Sequence, residues 1–213
     1  MNGKFIVLEG LDGSGTTTQA VALVRHFFNR DKIHAPLLTR EPTSLNTFGQ
    51  EIRRRLENRL LDHERVIDDF SYWAHLFVSD RKWHLENVVL PNINLGLPVI
   101  SDRHMLSTLA YQSAQGGQME QLIKMHKGMQ VPNLTIFLDV PASVALERIK
   151  KNREGSPEYF EKKEGFLKQT EDNYKKAIEL MKEEHNVVII NGTKSVDEVS
   201  TEIIKAIDKL YKH

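Results

Sequence analysis

The chain has 213 residues, of which 40% are hydrophobic and 27% are charged, and this predicts one globular domain spanning residues 1–213. Lysine plus arginine and aspartate plus glutamate both number 29, so the net charge predicts no general affinity for nucleic acid. Cysteine is absent, which excludes disulfides and cysteine nucleophiles, and no apolar stretch reaches membrane-spanning length, so we expect a cytoplasmic protein without a membrane partner.

The first elements along the chain are a strand, a glycine loop and a helix. The apolar run Phe5–Leu8 precedes Gly10–Thr17, and an amphipathic segment begins near Thr18. Glycines let backbone N–H groups converge on an anion, and a helix start adds unpaired N–H groups. The loop fits G-x-x-x-x-G-K-[ST] except at Thr16, which stands where lysine is expected. A phosphate cradle is predicted, and a tight turn without a ligand is the alternative.

Further strands and helices alternate along the rest of the chain. We predict strands at Ala35–Thr39, Leu97–Ser101, Leu134–Asp139 and Asn186–Ile190. We predict helices at 18–29, at 48–61, from Val66 to about Leu90, after Pro141, through Phe166–Met181 and at Val196–Leu210. This alternation predicts an α/β fold with a three-layer, doubly wound, five-stranded parallel sheet of the P-loop NTPase type, in which ligands bind beyond the carboxyl ends of the strands.

Arginines on two of these helices have alternative interpretations. Arg53–Arg55 point in three directions around a helix, so at most one or two serve one site and the others belong to a solvated face. Arg81 lies four residues after Phe77 on an apolar stripe. Its guanidinium either extends to water over a packed stem or holds an anion in a cleft, and position alone does not decide.

The third strand is followed at once by Asp102-Arg103. A carboxylate and a guanidinium at a strand end suit a magnesium-linked acid and a phosphate clamp, with a local ion pair as the alternative. On the next helical stretch, Thr108 shares a face with Gln112, and Ser107 shares one with Tyr111. One such face would present polar groups and an aromatic edge to a ligand, unless the hydroxyls serve only as surface caps.

A basic, turn-rich stretch runs from Arg148 to Pro157 and includes Arg153. Such loops are usually only solvated. Beside a triphosphate, however, a mobile basic loop is what a lid requires. We therefore predict a lid segment at about 148–160.

Five stretches, in chain order, resemble motifs of the thymidylate kinase family, P-loop enzymes that transfer the terminal phosphoryl group of ATP to dTMP. Asp12–Gly15 is similar to D-G-x-G, Thr39–Pro42 to T-R-E-P, and Phe77–Arg81 to F-x-x-D-R. Asp102–Gln112 and Leu134–Ile149 resemble the two later motifs. The resemblance covers nearly the whole chain and implies a dTMP kinase that acts as a homodimer, with ATP and dTMP as substrates and Mg²⁺ as the cofactor.

The resemblance also implies roles for individual residues. ATP is expected at Gly10, Asp12, Gly13, Ser14, Gly15, Thr16, Thr17 and Thr18, with magnesium at Thr17 and Asp102. The expected dTMP-binding residues are Asp12, Glu41, Pro42, Arg53, Phe77, Arg81, Arg103, Thr108, Tyr111 and Gln112. The expected catalytic residues are Asp12, Arg103, Arg148 and Arg153.

Within that set, the acceptor residues have distinct expected contacts. Arg81, Arg103 and Arg53 are expected at the acceptor phosphate, and Phe77 is expected to stack on thymine. Thr108 and Gln112 would face the polar edge of the base, and Tyr111 would crowd the 2′ position of a ribonucleotide.

The sequence departs from the family pattern at three places. Thr16 replaces the loop lysine, Thr43-Ser44 stands where bacterial members commonly have two glycines, and Thr108 replaces a common serine. Because threonine carries no charge, we expect Arg148 or Arg153 to contact the transferred phosphate in place of the lysine. The alternatives are a kinase for another nucleotide, or a nucleotide-binding protein with weak or no catalysis.

Overall fold

A computed structural model describes residues 3–33, 35–61, 70–152 and 157–212. In these residues five strands form one sheet in the order β2-β3-β1-β4-β5, and every neighbouring pair is parallel. The strands are β1 (Phe5–Gly10), β2 (Leu37–Arg40), β3 (Val99–Asp102), β4 (Leu134–Asp139) and β5 (Val187–Asn191). The predicted α/β class with a five-stranded parallel sheet is thereby confirmed. Because the strands are parallel, their carboxyl ends meet at one edge.

Among the described residues, the helices differ from the predicted ones mainly between residues 70 and 130 and at the start of the helix that was predicted from Phe166, which begins at Pro157. They are α1 (Thr16–Arg30), α2 (Thr47–Leu61), α3 (Phe70–His84), α4 (Leu90–Asn94), α5 (Met105–Ala114), α6 (Met119–Met125), α7 (Ala142–Asn152), α8 (Pro157–Met181) and α9 (Val196–Leu210). The helix predicted to end near Leu90 continues through a π-helical turn, Leu85–Val89, into α4. Pro91 lies in the first turn of α4, where a missing N–H costs nothing. The start of that predicted helix, 66–69, lies outside the described residues.

Helices cover both faces of the sheet because β1 and β4 are apolar on both sides. Ile6 and Leu8 pack with α1 and α9 through residues such as Leu23 and Ile203. On the other face, Phe137 of β4 packs with side chains of α5, α7 and α8. In the described part of the chain, no helix is both long and apolar enough to cross a bilayer.

Candidate active site

The loop between β1 and α1 forms a cradle of backbone N–H groups. Gly13 and Gly15 have φ angles of 83° and 97°, which side chains rarely allow. A Cβ on Gly13 would lie 2.5 Å from the carbonyl oxygen of Ala145 on α7, so the loop and that helix make backbone contact there. The loop opens into a pocket of about 590 Å³, which is within the usual size range for a bound small molecule. We call it the loop pocket.

The loop pocket is lined by most of the residues expected to bind ATP. They are Asp12, Gly13, Ser14, Gly15, Thr16, Thr17 and Thr18. Gly10, the last residue of β1, is not among them, but a Cβ there would lie 2.5 Å from Oγ of Ser14. The lack of a side chain at Gly10 therefore allows the end of β1 and the loop to approach each other closely.

Thr16, in the position expected for lysine, is the first residue of α1 and is 6% exposed. Its neighbour Thr17 is exposed at the pocket. A buried threonine in this place brings no positive charge to a phosphate. Any such charge has to come from another part of the chain.

Thr17 and Asp102 together fit the expected magnesium position. Oγ1 of Thr17 donates a hydrogen bond to Oδ2 of Asp102 over 2.5 Å. The other carboxylate oxygen, Oδ1, is buried and has no hydrogen-bond partner among the described residues. Mg²⁺ bound with nucleotide phosphates needs only one or two protein oxygens, and an unpartnered buried carboxylate oxygen suits it. The described residues contain no group of three or more carboxylate or histidine ligands that could cage a metal without the nucleotide.

A second pocket, of about 200 Å³, lies beside the first and is called the acceptor pocket below. It is lined by Asp12, Glu41, Pro42, Leu56, Trp73, Phe77, Arg81, Arg103, Ser107, Thr108, Tyr111, Gln112, Gln115, Lys163 and Phe166. This set contains every residue expected to bind dTMP except Arg53. Phe77 and Trp73 supply aromatic walls, with ring centroids 6.2 Å apart. Thr108 and Gln112 supply the polar groups of α5.

Arg81 is buried in this pocket, with an exposed fraction of 1%. Nε donates to Oε2 of Glu41 over 2.7 Å, and Nη2 donates to the carbonyl oxygen of His104 over 2.9 Å. Nη1 donates to Oγ1 of Thr108 over 3.0 Å and lies 2.5 Å from Nε2 of His126. The interpretation in which the guanidinium extends to water is therefore wrong. These contacts occupy four of the five N–H groups of the guanidinium.

The carboxylate of Glu41 is held by two basic side chains. Besides the bond from Arg81, Oε1 lies 3.0 Å from Nδ1 of His84. Burial alone would raise the pKa of Glu41, but the charge of Arg81 and the contacts of His84 outweigh it and lower that pKa to about 2. Glu41 is therefore an anion at neutral pH.

His126 is a neutral partner of Arg81. Its Nδ1 lies 2.7 Å from the carbonyl oxygen of Leu122, which only accepts, so Nδ1 carries the hydrogen. Nε2 is then free to accept from Arg81. Burial, together with the charge of Arg81, lowers the pKa of His126 to about 3. Burial likewise lowers the pKa of His104 well below its usual value.

Asp12, Glu41 and Arg103 line both pockets. Oδ1 of Asp12 accepts from Nη2 of Arg103 over 2.8 Å, and Oδ2 accepts from Nζ of Lys163 over 3.1 Å. Desolvation in the cleft would raise the pKa of Asp12, but these two cations outweigh it and lower the pKa to about 2. Tyr111 also contacts Asp12, because its hydroxyl accepts a hydrogen bond from the backbone N–H of Asp12 over 2.9 Å.

The comparisons with known proteins agree with this geometry. The profile of a family described as thymidylate kinase matches residues 8–203. The chain belongs to the thymidylate kinase family. A protein of Pyrococcus horikoshii named probable thymidylate kinase is 38% identical over 205 residues, covering 96% of this chain and 95% of the relative. A thymidylate kinase of Francisella tularensis subsp. novicida is 33% identical, covering 98% and 97%.

Three further arginines were expected at the site of a thymidylate kinase, and of the described ones only Arg148 lines a pocket. Arg53 donates through Nε to the carbonyl oxygen of Thr43 over 3.1 Å and through Nη2 to that of Pro42, so it contacts the loop after β2 and does not line the acceptor pocket. Arg148 on α7 lines the loop pocket, and its guanidinium donates to the carbonyl oxygens of Ser14 and Gly192. Arg153 lies outside the described residues.

The departure from the thymidylate kinase pattern at Thr43 has a local explanation. Thr43 is buried, and its N–H and hydroxyl donate to the two carboxylate oxygens of Asp80 over 2.8 and 2.6 Å. Asn46 also donates to Asp80, over 2.7 Å. The threonine thus fixes a loop that two glycines would leave less constrained.

Sequence reasoning missed several residues of the site. Lys163, His126 and Tyr174 were not proposed as site residues, although each contacts one that was. Glu9 was not proposed either, and it accepts a hydrogen bond from the backbone N–H of His104, the residue after Arg103. For Lys163 a signal existed, because it lies on the same helical stripe as Phe166, Thr170 and Tyr174. For Glu9 the signal was a single charge at the end of an apolar strand.

Proposed function

We propose that this chain transfers the γ-phosphoryl group of Mg²⁺-ATP to dTMP, giving ADP and dTDP. The observation that carries the proposal is the pair of adjacent pockets that share Asp12, Glu41 and Arg103. One pocket has the glycine cradle that a nucleoside triphosphate requires, and the other has aromatic walls beside buried cations. Phosphoryl transfer requires such positioning and charge neutralisation more than a covalent protein group.

In this proposal the donor phosphates bind the loop Gly13–Thr17 and the N-terminus of α1. Thr17 and Asp102 would hold Mg²⁺, which would supply positive charge to neutralise the phosphates. An acceptor phosphate oxygen forms a bond to the γ-phosphorus while the bond from that phosphorus to the oxygen of the leaving ADP breaks. Arg103 lines both pockets and orients the acceptor phosphate toward the donor.

The selectivity for dTMP is assigned to the walls of the acceptor pocket. Phe77 stacks on the base, and Thr108 and Gln112 face its polar edge. Tyr111 is fixed by the backbone N–H of Asp12 and by contact of its ring with Arg103, 5.3 Å from the ring centroid. A rigid ring at this place leaves little room for a 2′-hydroxyl, so a deoxynucleotide is preferred.

The test is product analysis with ATP, Mg²⁺ and a panel of dTMP, dUMP, dGMP, UMP and thymidine. We expect ADP and dTDP to form in equal amounts, with dTMP preferred over UMP. Phosphate transfer only to water or to thymidine would contradict the assignment. The relatives named thymidylate kinase support the choice of dTMP.

A second candidate is a nucleotide-binding protein with little turnover. The buried, uncharged Thr16 in the lysine position favours it. Tight ATP binding in calorimetry without dTDP formation would support this candidate and contradict the kinase. We also propose that the protein is a cytoplasmic homodimer, and light scattering of the purified chain tests the oligomeric state.

A further inference from the structure

Lys163 reaches the junction between the two pockets from a distant part of the chain. It lies in the first third of α8, 151 residues after Asp12, and its side chain is 19% exposed. Nζ lies 3.1 Å from Oδ2 of Asp12 and 5.9 Å from the ring centroid of Phe166. Because Lys163, Phe166 and Tyr174 share one stripe of α8, the packing of the two aromatic residues turns the lysine toward the site.

The position of Lys163 matters because the phosphoryl group has to cross from one pocket to the other. Asp12 lines both pockets, and its two carboxylate oxygens are bound by Arg103 on one side and Lys163 on the other. Arg103 and Lys163 therefore flank the carboxylate of Asp12, which lies at both pockets. An ammonium has three N–H donors, so Nζ can keep its contact with Asp12 and still donate to a phosphate oxygen.

The cations that line the loop pocket are less suited to this role than Lys163, which lines the acceptor pocket. The guanidinium of Arg148 donates to backbone carbonyl oxygens. Lys194 forms an ion pair with Glu202 over 2.5 Å on the side of α9. Arg40 lines the loop pocket at the end of β2 but not the acceptor pocket. Among the described lysines and arginines that line the acceptor pocket, Lys163 is the one not already expected to bind dTMP.

We propose that Lys163 is a catalytic residue whose ammonium contacts the phosphoryl group during transfer and supplies the charge that Thr16 lacks. The inference rests on the proposed kinase function. In this role Lys163 neither gives nor takes a proton while the new P–O bond forms and the bond to ADP breaks. In a cleft that excludes water, a cation aimed at the developing charge lowers the barrier strongly.

The first experiment compares Lys163→Met with Lys168→Met as the matched control. Lys168 is on the same helix, is 58% exposed and pairs with Asp172 away from both pockets. We expect the Lys163 variant to lose about 10²-fold in kcat, with the Kd of ATP changed by less than about threefold. The Lys168 variant keeps the wild-type kcat. Lys163→Arg, which keeps a cation, retains more activity than Lys163→Met.

A double-mutant cycle of Thr16→Lys with Lys163→Met then tests whether a lysine at position 16 can replace the charge of Lys163. We expect Thr16→Lys to restore most of the kcat lost in Lys163→Met, so the two changes are strongly non-additive. Additive effects overturn the proposal, and so does a cycle in which Arg40→Met couples to Thr16→Lys while Lys163→Met does not.

The alternative to a catalytic role is that Lys163 serves only as the ion-pair partner of Asp12. An Asp12→Asn background distinguishes the two. With the ion-pair role alone, Lys163→Met has no effect in an Asp12→Asn background, and that result overturns the proposal. A loss of kcat that persists there supports it. Absence of dTDP formation by the wild type overturns the proposed function and this inference together, whereas an active wild type with a fully active Lys163→Met overturns the inference alone.

Discussion

Nη1 of Arg81 lies 2.5 Å from Nε2 of His126, and both side chains are buried. The contact requires a neutral imidazole, because a protonated His126 would place two cations against each other. A histidine buried in this way takes up protons more readily when the chain unfolds. The relationship therefore makes the stability of the fold depend on pH.

We predict that His126→Gln flattens the acid side of the stability profile. The pKa of His126 is about 3 in the folded chain and 6.5 for a free histidine. Between these values the unfolded state binds more protons, so stability is fully present above pH 6.5 and falls as the pH decreases. Between pH 6 and pH 4, the free energy of unfolding should fall less steeply with decreasing pH in the variant than in the wild type. The difference in slope should be about 1.4 kcal/mol per pH unit. Urea unfolding at several pH values measures this, with exposed His75→Gln as the control.

We predict that Arg81→Met destabilises the fold as well as impairing acceptor binding. The change leaves the buried carboxylate of Glu41 without its closest cation, at a cost of about 3–5 kcal/mol. Adding Glu41→Gln removes the unpaired charge, so the double variant should be more stable than Arg81→Met alone. Thermal or urea unfolding of the wild type and the two variants measures this order of stability. A double variant less stable than Arg81→Met would contradict the role assigned to this ion pair.

We predict that Arg103→Ala and Arg103→Gly are equally impaired but differ in stability. Both lose a charge-assisted bond to the acceptor phosphate. The fall in kcat/KM for dTMP should correspond to a loss of about 1.5–3 kcal/mol of transition-state stabilisation. Arg103 has φ of 77°, in the left-handed region, so its backbone is strained with any side chain. The glycine variant should therefore be more stable than the alanine variant by about 1 kcal/mol. Equal unfolding midpoints for the two would refute the strain.

We predict that Asp102→Asn raises the Mg²⁺ requirement. The amide removes a negative charge from the position beside Thr17, so half-maximal activity should need roughly 10- to 100-fold more Mg²⁺. Calorimetry should show weaker binding of Mg²⁺-ATP and little change for ATP without metal. Asp139→Asn, at the end of β4 and away from both pockets, is the control. An unchanged Mg²⁺ dependence would show that Asp102 does not bind the metal.

The sequence was most informative where one local pattern decides a structure. The apolar runs at β1 and β4 and the glycine spacing of Gly10–Gly15 placed the sheet and the loop pocket. The short helix α6 was missed, because it spans only seven residues, Met119–Met125.

Partners that are distant in the chain were the harder part of the prediction. The sequence placed Arg81 on an apolar stripe but could not choose between water and a cleft, since the choice depends on Glu41, Thr108 and His126 from three other segments. Lys163 shares a helical stripe with Phe166 and Tyr174, but only the fold shows that this stripe brings it to Asp12. Arg53 was expected at a phosphate because of the family resemblance, and its hydrogen bond to the loop after β2 has no local signature in the sequence.

The hydroxyl of Tyr174 ties α8 to the end of β1. It contacts Oε2 of Glu9 over 3.0 Å, the carbonyl oxygen of Gly10 over 3.1 Å and Nη1 of Arg103 over 3.2 Å. Lys163 lies eleven residues earlier on the same helix, about 16 Å along its axis. A rotation of α8 as a rigid rod therefore shifts Lys163 and the group that holds Arg103 in a single movement. A movement of this helix therefore displaces both cations of the Asp12 carboxylate together.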